Sequence, residues 1–192
     1  MIISINKETF KMKKSKTKFI SNLLLCFGML FAVLAILCIF LPGCINTLTV
    51  TVLGQTITTE TKVLLYGLVF GNPEVIITVS SAGSTSTVFE GGLSYLGLIG
   101  FILVAIGLVA TLLALFLKRQ AKVICVFTFL VILVGACLMM AVLTCGNDLA
   151  YQGLTSSFTD NYGEFELGVG TILFFVSGLL SSGFVLGSAL TR

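Results

Sequence analysis

Four long stretches of this chain contain no charged residue. They cover residues 20–41, 93–117, 123–144 and 167–190, and they are 22, 25, 22 and 24 residues long. A helix needs about 20 apolar residues to cross the hydrocarbon core of a bilayer, and it satisfies its own backbone hydrogen bonds there. The pattern therefore predicts four transmembrane helices that pack as an all-α bundle.

A different pattern follows the first apolar stretch. Residues 45–92 form a long connection to the second stretch, and within it residues 47–53 alternate between polar and apolar side chains. Such alternation is typical of a half-buried strand. Gly54-Gln55 then predicts a two-residue type II′ hairpin turn, which would pair Val52 with Ile57.

Two further strands are predicted in the same connection, at residues 63–70 and 75–80. We expect a small antiparallel sheet of roughly three to five strands, resting on the outer ends of the helices. The second outer connection, residues 145–166, is shorter and acidic. The predicted fold is thus a transmembrane four-helix bundle with a small, β-rich extracellular subdomain between the first and second helices.

The charged residues are divided unequally between the two ends of the predicted spans. Ten of the 11 basic residues lie in the tail 1–19, in the tight connection 118–122 or at Arg192, whereas seven of the eight acidic residues lie in the two outer connections. The positive-inside rule therefore places both termini in the cytoplasm, with the chain in the plasma membrane. The basic residues either only set this orientation or also contact anionic lipid; they include Lys11, Lys13, Lys14, Lys16, Lys18, Lys118, Arg119 and Lys122.

Composition excludes several classes of protein. Hydrophobic residues make up 57% of the chain and charged residues 10%, against about 45–50% and about 25% in soluble globular domains. A soluble enzyme, a disordered tail and a nucleic-acid-binding protein are therefore excluded. The chain has no histidine, and its six cysteines form no C-x-x-C pair, so the usual general base, metal ligand and dithiol motif are missing. We predict no enzyme activity, no catalytic, cofactor-binding or metal-binding residue, and no identifiable small-molecule substrate.

The interiors of the four apolar stretches lack Asp, Glu, Lys and Arg. Charged residues inside a membrane are costly, and where they occur they mark proton relays and pathways for charged substrates. Their absence argues against a proton-coupled pump and against a transporter of charged substrates.

Small residues recur at helical spacing, and the fourth stretch is the richest in them. Residues four apart lie on one face of a helix, where small side chains let two backbones approach closely in lipid. Two interpretations stay open: the stripe closes the four-helix bundle, or it docks a second subunit or a partner helix. The residues concerned are Ser177, Gly178, Ser181, Ser182, Gly183 and Gly187.

Cys44 and Cys145 both fall at the outer ends of predicted helices, the first and the third. If those helices are neighbours, a disulfide would tie the two outer connections together, provided that the Cα atoms lie within about 7 Å. The alternative is a pair of unrelated thiols. The other four cysteines lie within the spans, where we expect them to act as small packing residues.

Cys44 also ends the sequence Leu41-Pro42-Gly43-Cys44, which follows a basic and then an apolar stretch. This order resembles a bacterial lipoprotein signal with its lipobox, and the resemblance implies cleavage before a lipid-modified Cys44. Pro42 departs from the small or β-branched residue of that motif. The apolar stretch is also longer than the 7–15 residues of a removable signal, which favours a retained span.

The whole layout is similar to that of claudins and related tetraspan proteins. Both termini lie inside, the first outer connection is long and contains strands, and the second is shorter. The chain has no tryptophan and no Cys-Cys-Gly sequence in the second connection, so no functional residue is transferred from either family. Few charges, many Ile, Leu and Phe residues and no glycosylation sequon also fit a small bacterial membrane protein.

The leading expectation is a non-enzymatic membrane protein that acts as an interaction or scaffold component. Its outer sheet would contact a partner, and its fourth helix would associate laterally with a copy of itself or with another membrane protein. The alternative is a subunit of a transport or channel assembly, with the path between protomers. In that case the polar lining would come from Thr171, Ser177, Ser181 and Ser182.

Overall fold

The computed structural model describes residues 2–52, 55–72, 74–80, 83–88, 93–117, 120–143 and 165–192. In chain order its elements are α1 (Ile2–Leu37), a 3-10 turn (Cys38–Phe40), β1 (Pro42–Val52), β2 (Gln55–Leu64), α2 (Leu65–Phe70), β3 (Glu74–Val79), β4 (Gly83–Val88), α3 (Tyr95–Phe116), α4 (Ala121–Met139), β5 (Glu166–Leu167) and α5 (Val169–Thr191).

Four of these helices are long and apolar enough to cross a membrane, as the apolar stretches predict. The qualifying segments are Thr17–Phe40, Tyr95–Phe116, Ala121–Met139 and Val169–Thr191. The helix that carries the first segment begins much earlier, at Ile2. No glycine or proline occurs before Gly28, so no helix breaker interrupts the basic stretch, and that stretch continues directly into the apolar one.

The four long helices pack as a ring. Helix α1 packs along α5, α5 along α4, and α4 along α3, while α1 and α3 contact each other least of these neighbouring pairs. Glycines allow the closest approaches: a Cβ at Gly100 would lie 2.7 Å from the Gly135 carbonyl oxygen, and one at Gly107 would overlap Ile132. Backbones meet this closely only where no side chain stands between them.

The sheet is antiparallel throughout, with five strands in the order β4-β3-β2-β1-β5. A small antiparallel sheet is therefore confirmed. We call the end of the bundle on which it packs the sheet end, and the opposite end, where Ser21, Ala114 and Arg192 lie, the tail end.

The predicted register of the first hairpin is wrong. Val52 pairs with Gln55 rather than with Ile57, and Ile57 pairs with Val50, so that residues 53 and 54 separate the two strands. The difference is two residues, and a shift of two leaves every side chain on the same face of the sheet. The alternation of polar and apolar residues is identical in both registers, so it could not separate them.

The predicted strand at residues 63–70 is also wrong beyond its first two residues. Strand β2 ends at Leu64, and the chain then forms α2, whose Leu65, Leu68 and Val69 are fully buried. A short apolar run does not distinguish a buried strand from a buried helical turn. Gly71 ends the helix with φ 93°, a left-handed conformation that favours glycine.

The core at the sheet end joins the sheet to the helices. It combines large side chains of β2, α2 and β3 with residues from the ends of the long helices. The N-terminus of α3 is fixed here by Ser94, whose Oγ accepts a hydrogen bond of 3.2 Å from the Gly97 amide. The two regions thus share one continuous core, which consists of Ala35, Cys38, Ile39, Cys44, Val63, Leu65, Leu68, Val69, Val75, Val104, Met139, Val142, Phe165 and Phe174.

Candidate interaction surfaces

Half of the small residues proposed for helix docking face the interior of the bundle. A Cβ at Gly178 would lie 2.6 Å from the Cβ of Ala136 on α4. Ser181 is buried, and its Oγ donates a 2.7 Å hydrogen bond to the Gly28 carbonyl on α1. Ser182 is buried and donates to the Leu179 carbonyl within α5, at 2.8 Å. These residues pack α5 against its neighbours in the same chain.

Gly183 faces the other way. It is exposed, and a Cβ there would meet nothing within 4 Å. Gly187 is half-buried, and a Cβ there would lie 3.6 Å from Leu24. Ser177 is half-buried as well. We call the exposed side of α5 the Gly183 face; it consists of Val176, Leu179, Leu180, Gly183 and Leu190.

An aromatic cluster lies beside the Gly183 face, where α5 meets α1. The ring of Phe184 stacks on Phe27 and on Phe31, with centroid distances of 5.7 and 5.5 Å. Only Gly183, at the middle of the face, presents bare backbone, so a helix from another chain would find its closest approach there.

Three of the four residues proposed as a polar channel lining donate their hydroxyls within the chain. Thr171 Oγ1 donates to the Gly43 carbonyl at 2.8 Å, in the same way that Ser181 and Ser182 donate to carbonyls. Three of the four proposed lining hydroxyls are therefore buried and satisfied by backbone. A hydroxyl used in this way is not presented to a passing solute.

One face of the sheet is rich in exposed or half-exposed hydroxyls. Thr49 pairs with Thr58, Thr51 with Thr56, and Thr78 with Ser84, whose hydroxyls lie 3.1 Å apart. We call this the hydroxyl face; it consists of Thr47, Thr49, Thr51, Thr56, Thr58, Thr78, Ser84 and Ser86. The same face carries the 2.9 Å ion pair between Lys62 and Glu60.

Strand β4 forms one edge of the sheet. Among the described residues it pairs with β3 alone. Its sequence, Gly-Ser-Thr-Ser-Thr-Val, contains no proline and no charged residue, and Ser84 and Ser86 are exposed. Natural edge strands are usually protected by such residues, because unpaired backbone groups are a template for another strand.

Tyr66 and Glu74 form a polar contact at the sheet end. The Tyr66 hydroxyl donates to the Glu74 carboxylate at 2.8 Å. This hydrogen bond, together with desolvation and the repulsion of a phenolate by the carboxylate, raises the pKa of Tyr66 above its ordinary value. The contact ties α2 to the start of β3.

Cys44 is buried at the start of β1, and its Sγ lies 3.9 Å from the Val142 carbonyl. The structure therefore brings the end of the first span close to the end of the third. Cys145, three positions after Val142, lies outside the described residues, so the disulfide stays a prediction. Intact mass measured before and after reduction checks it, because oxidation removes two hydrogens.

The segment before Cys44 is built into the bundle. The Gly43 carbonyl accepts hydrogen bonds from the Gly168 amide, at 2.8 Å, and from Thr171. A Cβ at Gly170 would lie 2.8 Å from the Leu41 carbonyl oxygen. Removal of α1 as a lipoprotein signal would take these contacts away, which favours a retained first span.

The basic residues fall into three groups. Lys11, Lys13, Lys14 and Lys16 lie within α1, Lys18 and Lys122 are exposed, and Lys118 and Arg119 lie outside the described residues. Sequence reasoning used Arg192 for orientation only and overlooked its partners. Its guanidinium contacts Ser21 and Asn22 of α1. These two adjacent polar residues inside the first apolar stretch were the sequence feature that could have indicated a polar contact there.

No group of three or more His, Cys, Asp or Glu side chains that could hold a metal occurs in the part of the chain that the structure describes. The chain matches no known protein-family model and no curated protein. Thus no family match supports a claudin or tetraspan identity.

Proposed function

We propose that this chain is a multi-pass membrane protein that acts without enzymatic activity, as an interaction or scaffold component. Its sheet contacts a partner through strand β4, and its fifth helix associates laterally through the Gly183 face. The observation that carries the proposal is the unprotected edge of β4. Four apolar helices support the membrane location.

The orientation follows from charge. Both termini lie in the cytoplasm and the chain lies in the plasma membrane, because ten of the 11 basic residues occur in the tail 1–19, in the connection 118–122 or at Arg192. The sheet end then faces the exterior. The hydroxyl face and β4 are the parts of the protein that a partner outside the membrane would meet first.

Strand addition is the interaction that β4 fits best. An extended partner segment would pair with the backbone groups of β4 that no described strand pairs, while side chains on the two faces provide specificity. Neither a charge nor a proline opposes this pairing. The hydroxyls of Ser84 and Ser86 lie beside the edge and would hydrogen-bond polar side chains of the added strand.

The Gly183 face supports association within the membrane. Helices in lipid are held together by close packing, because lipid is as apolar as leucine. Gly178 already serves the interior of the bundle, whereas Gly183 remains open. The channel alternative has less support, since three of its four lining hydroxyls donate to backbone carbonyls inside the chain.

The strand-addition test places a lysine on the edge. Ser86→Lys puts a charge on β4, and Thr56→Lys is the matched control, because it puts the same charge on the same face in the central strand β2. Native mass spectrometry of protein released gently from its own membrane reports bound chains. We expect wild type and Thr56→Lys to retain a companion protein or a second copy, and Ser86→Lys to lose it. Equal retention by both variants would reject strand addition.

Lateral association is tested by filling Gly183. Gly183→Leu adds a side chain on the open face, and Val109→Leu enlarges a side chain on the exposed surface of α3 as the control. Energy transfer between donor- and acceptor-tagged copies in liposomes measures association. A fall for Gly183→Leu alone supports docking at this face, and unchanged transfer rejects it.

A further inference from the structure

The guanidinium of Arg192 is held between three helices at the tail end. It follows α5, its Nε donates to Ser21 Oγ at 2.7 Å, and its Nη1 donates to the Ala114 carbonyl of α3 at 3.2 Å. Its Nη2 lies 3.4 Å from Asn22 Oδ1. Arginine has five N–H groups, so these contacts leave one N–H on each terminal nitrogen.

The acceptors orient this cation but do not neutralise it. They are a hydroxyl, a carbonyl and an amide oxygen. Among the described residues the structure gives one ion pair, Lys62–Glu60 on the sheet. The one acidic residue in the tail-end segments is Glu8, 13 residues before Ser21 along α1, which is about 20 Å along a helix.

The platform beneath the guanidinium is rigid. Ser21 and Ser188 are both buried, and their hydroxyls lie 2.9 Å apart between α1 and α5. Arg192 is exposed, as Lys18 and Lys122 are, but its guanidinium is held by three acceptors on α1 and α3. A planar guanidinium held in place has a pre-organised fork that matches phosphate oxygens.

The surroundings favour a phosphate that carries acyl chains. Ala114 lies in the last turn of α3, and Ser21 lies near the beginning of the first apolar segment, so the guanidinium sits where the spans end. Phe19, Phe116 and Leu190 are at least 70% exposed at the same end. Of the neighbouring helix pairs in the ring, α1 and α3 contact each other least, and their exposed apolar side chains offer surface for lipid chains beside the cation.

From this geometry we infer that Arg192, oriented by Ser21, Asn22 and the Ala114 carbonyl, binds the phosphate of an anionic phospholipid. The lipid supplies the negative charge that no described side-chain carboxylate supplies, and its chains lie against α1 and α3. The site ties α1 to α3 on the side of the ring where their packing is weakest.

The test counts retained lipids. The full chain, with the same neutral C-terminal extension on every variant so that the α-carboxylate is not beside Arg192, is placed in nanodiscs of phosphatidylcholine and phosphatidylglycerol. Native mass spectrometry then measures bound phosphatidylglycerol for wild type, Arg192→Gln and Lys122→Gln. The last variant removes the same charge from an exposed residue at the same end.

We expect phosphatidylglycerol to be retained in preference to phosphatidylcholine by wild type. Affinity should fall about fivefold in Arg192→Gln, the equivalent of about 1 kcal/mol, and by less than about twofold in Lys122→Gln. Equal losses in both variants would mean diffuse attraction and would overturn the site. Arg192→Lys should fall between wild type and Arg192→Gln, because an ammonium keeps the charge without the fork.

Two further measurements keep the inference testable. Excess inorganic phosphate should not displace the lipid; displacement would assign the site to free phosphate instead. If Arg192→Gln does not fold, as judged by circular dichroism, the wild-type comparison decides, and equal retention of phosphatidylglycerol and phosphatidylcholine rejects the site. The result is independent of strand addition and of the Gly183 face, since neither includes these residues.

Discussion

The interior of the bundle and the core at the sheet end differ in what makes their closest contacts. Between the long helices Leu25 and Ile132 are fully buried, but the closest approaches are made at glycines, so that a Cβ at Gly100 or Gly178 would lie under 3 Å from the next helix. At the sheet end the core is filled by large side chains, among them Leu65, Leu68 and Phe174. The glycine positions of the bundle leave no room for a side chain, whereas the sheet-end core depends on large ones.

The difference follows from the surroundings of each region. Apolar burial drives packing where the alternative is water, which applies to the sheet in the orientation that we propose. Inside lipid that drive is missing, so close packing and hydrogen bonds such as that from Ser181 to Gly28 hold the helices together. Truncating a large side chain should therefore be costly at the sheet end, and enlarging a buried glycine should be costly in the bundle.

The largest effect should come from Leu68→Ala in α2. Leu68 is fully buried, and truncating a buried leucine costs about 2–5 kcal/mol because it leaves a cavity. Leu96→Ala is the control, since Leu96 is about half exposed. Chemical unfolding followed by circular dichroism gives both free energies, and equal losses would show that the sheet-end core does not depend on large side chains.

Next comes Gly178→Ala in the bundle. The new methyl group would lie 2.6 Å from the Ala136 Cβ, and overpacking of this kind costs about 1–3 kcal/mol. Gly183→Ala makes the same change five residues later in open space, where we expect a change within about 0.5 kcal/mol. The free energies of unfolding of the two variants are measured in the same detergent. If Gly183→Ala lowers the free energy of unfolding as much as Gly178→Ala does, the loss comes from the helix itself and not from its packing against α4.

The hydrogen bond between α1 and α5 should contribute less. Ser181→Ala removes the donor to the Gly28 carbonyl, and such bonds in membrane proteins average about 0.6 kcal/mol. Ser182→Ala is the control, because Ser182 donates within its own helix and its loss separates no pair of helices. Steric trapping of the unfolded state resolves differences of this size in the free energy of unfolding. Equal free energies for the two variants would show that the hydrogen bond between α1 and α5 does not stabilise the bundle.

The two regions also differed in how far the sequence could predict them. Four apolar helices were predictable because a helix of about 20 uncharged residues matches the thickness of the hydrocarbon core of a bilayer. The hairpin register was not predictable. Val52 pairs with Gln55 instead of Ile57, and a shift of two residues leaves every side chain on the same face of the sheet. Nor was α2 predictable, because its apolar residues are buried by tertiary contacts on several sides. For the candidate sites, the spacing of small residues identified Gly178 and Gly183 together but could not say which one faces inward.

The smallest effect concerns a polar contact outside the bundle, which contrasts with the buried one at Ser181. The Glu74 carboxylate raises the pKa of Tyr66 by accepting its hydroxyl hydrogen and opposing the phenolate. The folded state therefore favours the neutral phenol, so this contribution to stability is complete below about pH 10. It is lost as the pH rises through the raised pKa of the folded protein. The ultraviolet absorbance of phenolate, taken as the difference between wild type and Tyr66→Phe, isolates the titration of Tyr66. Glu74→Gln should move that midpoint to lower pH, and an unchanged midpoint would show that α2 is not tied to β3 by this hydrogen bond in solution.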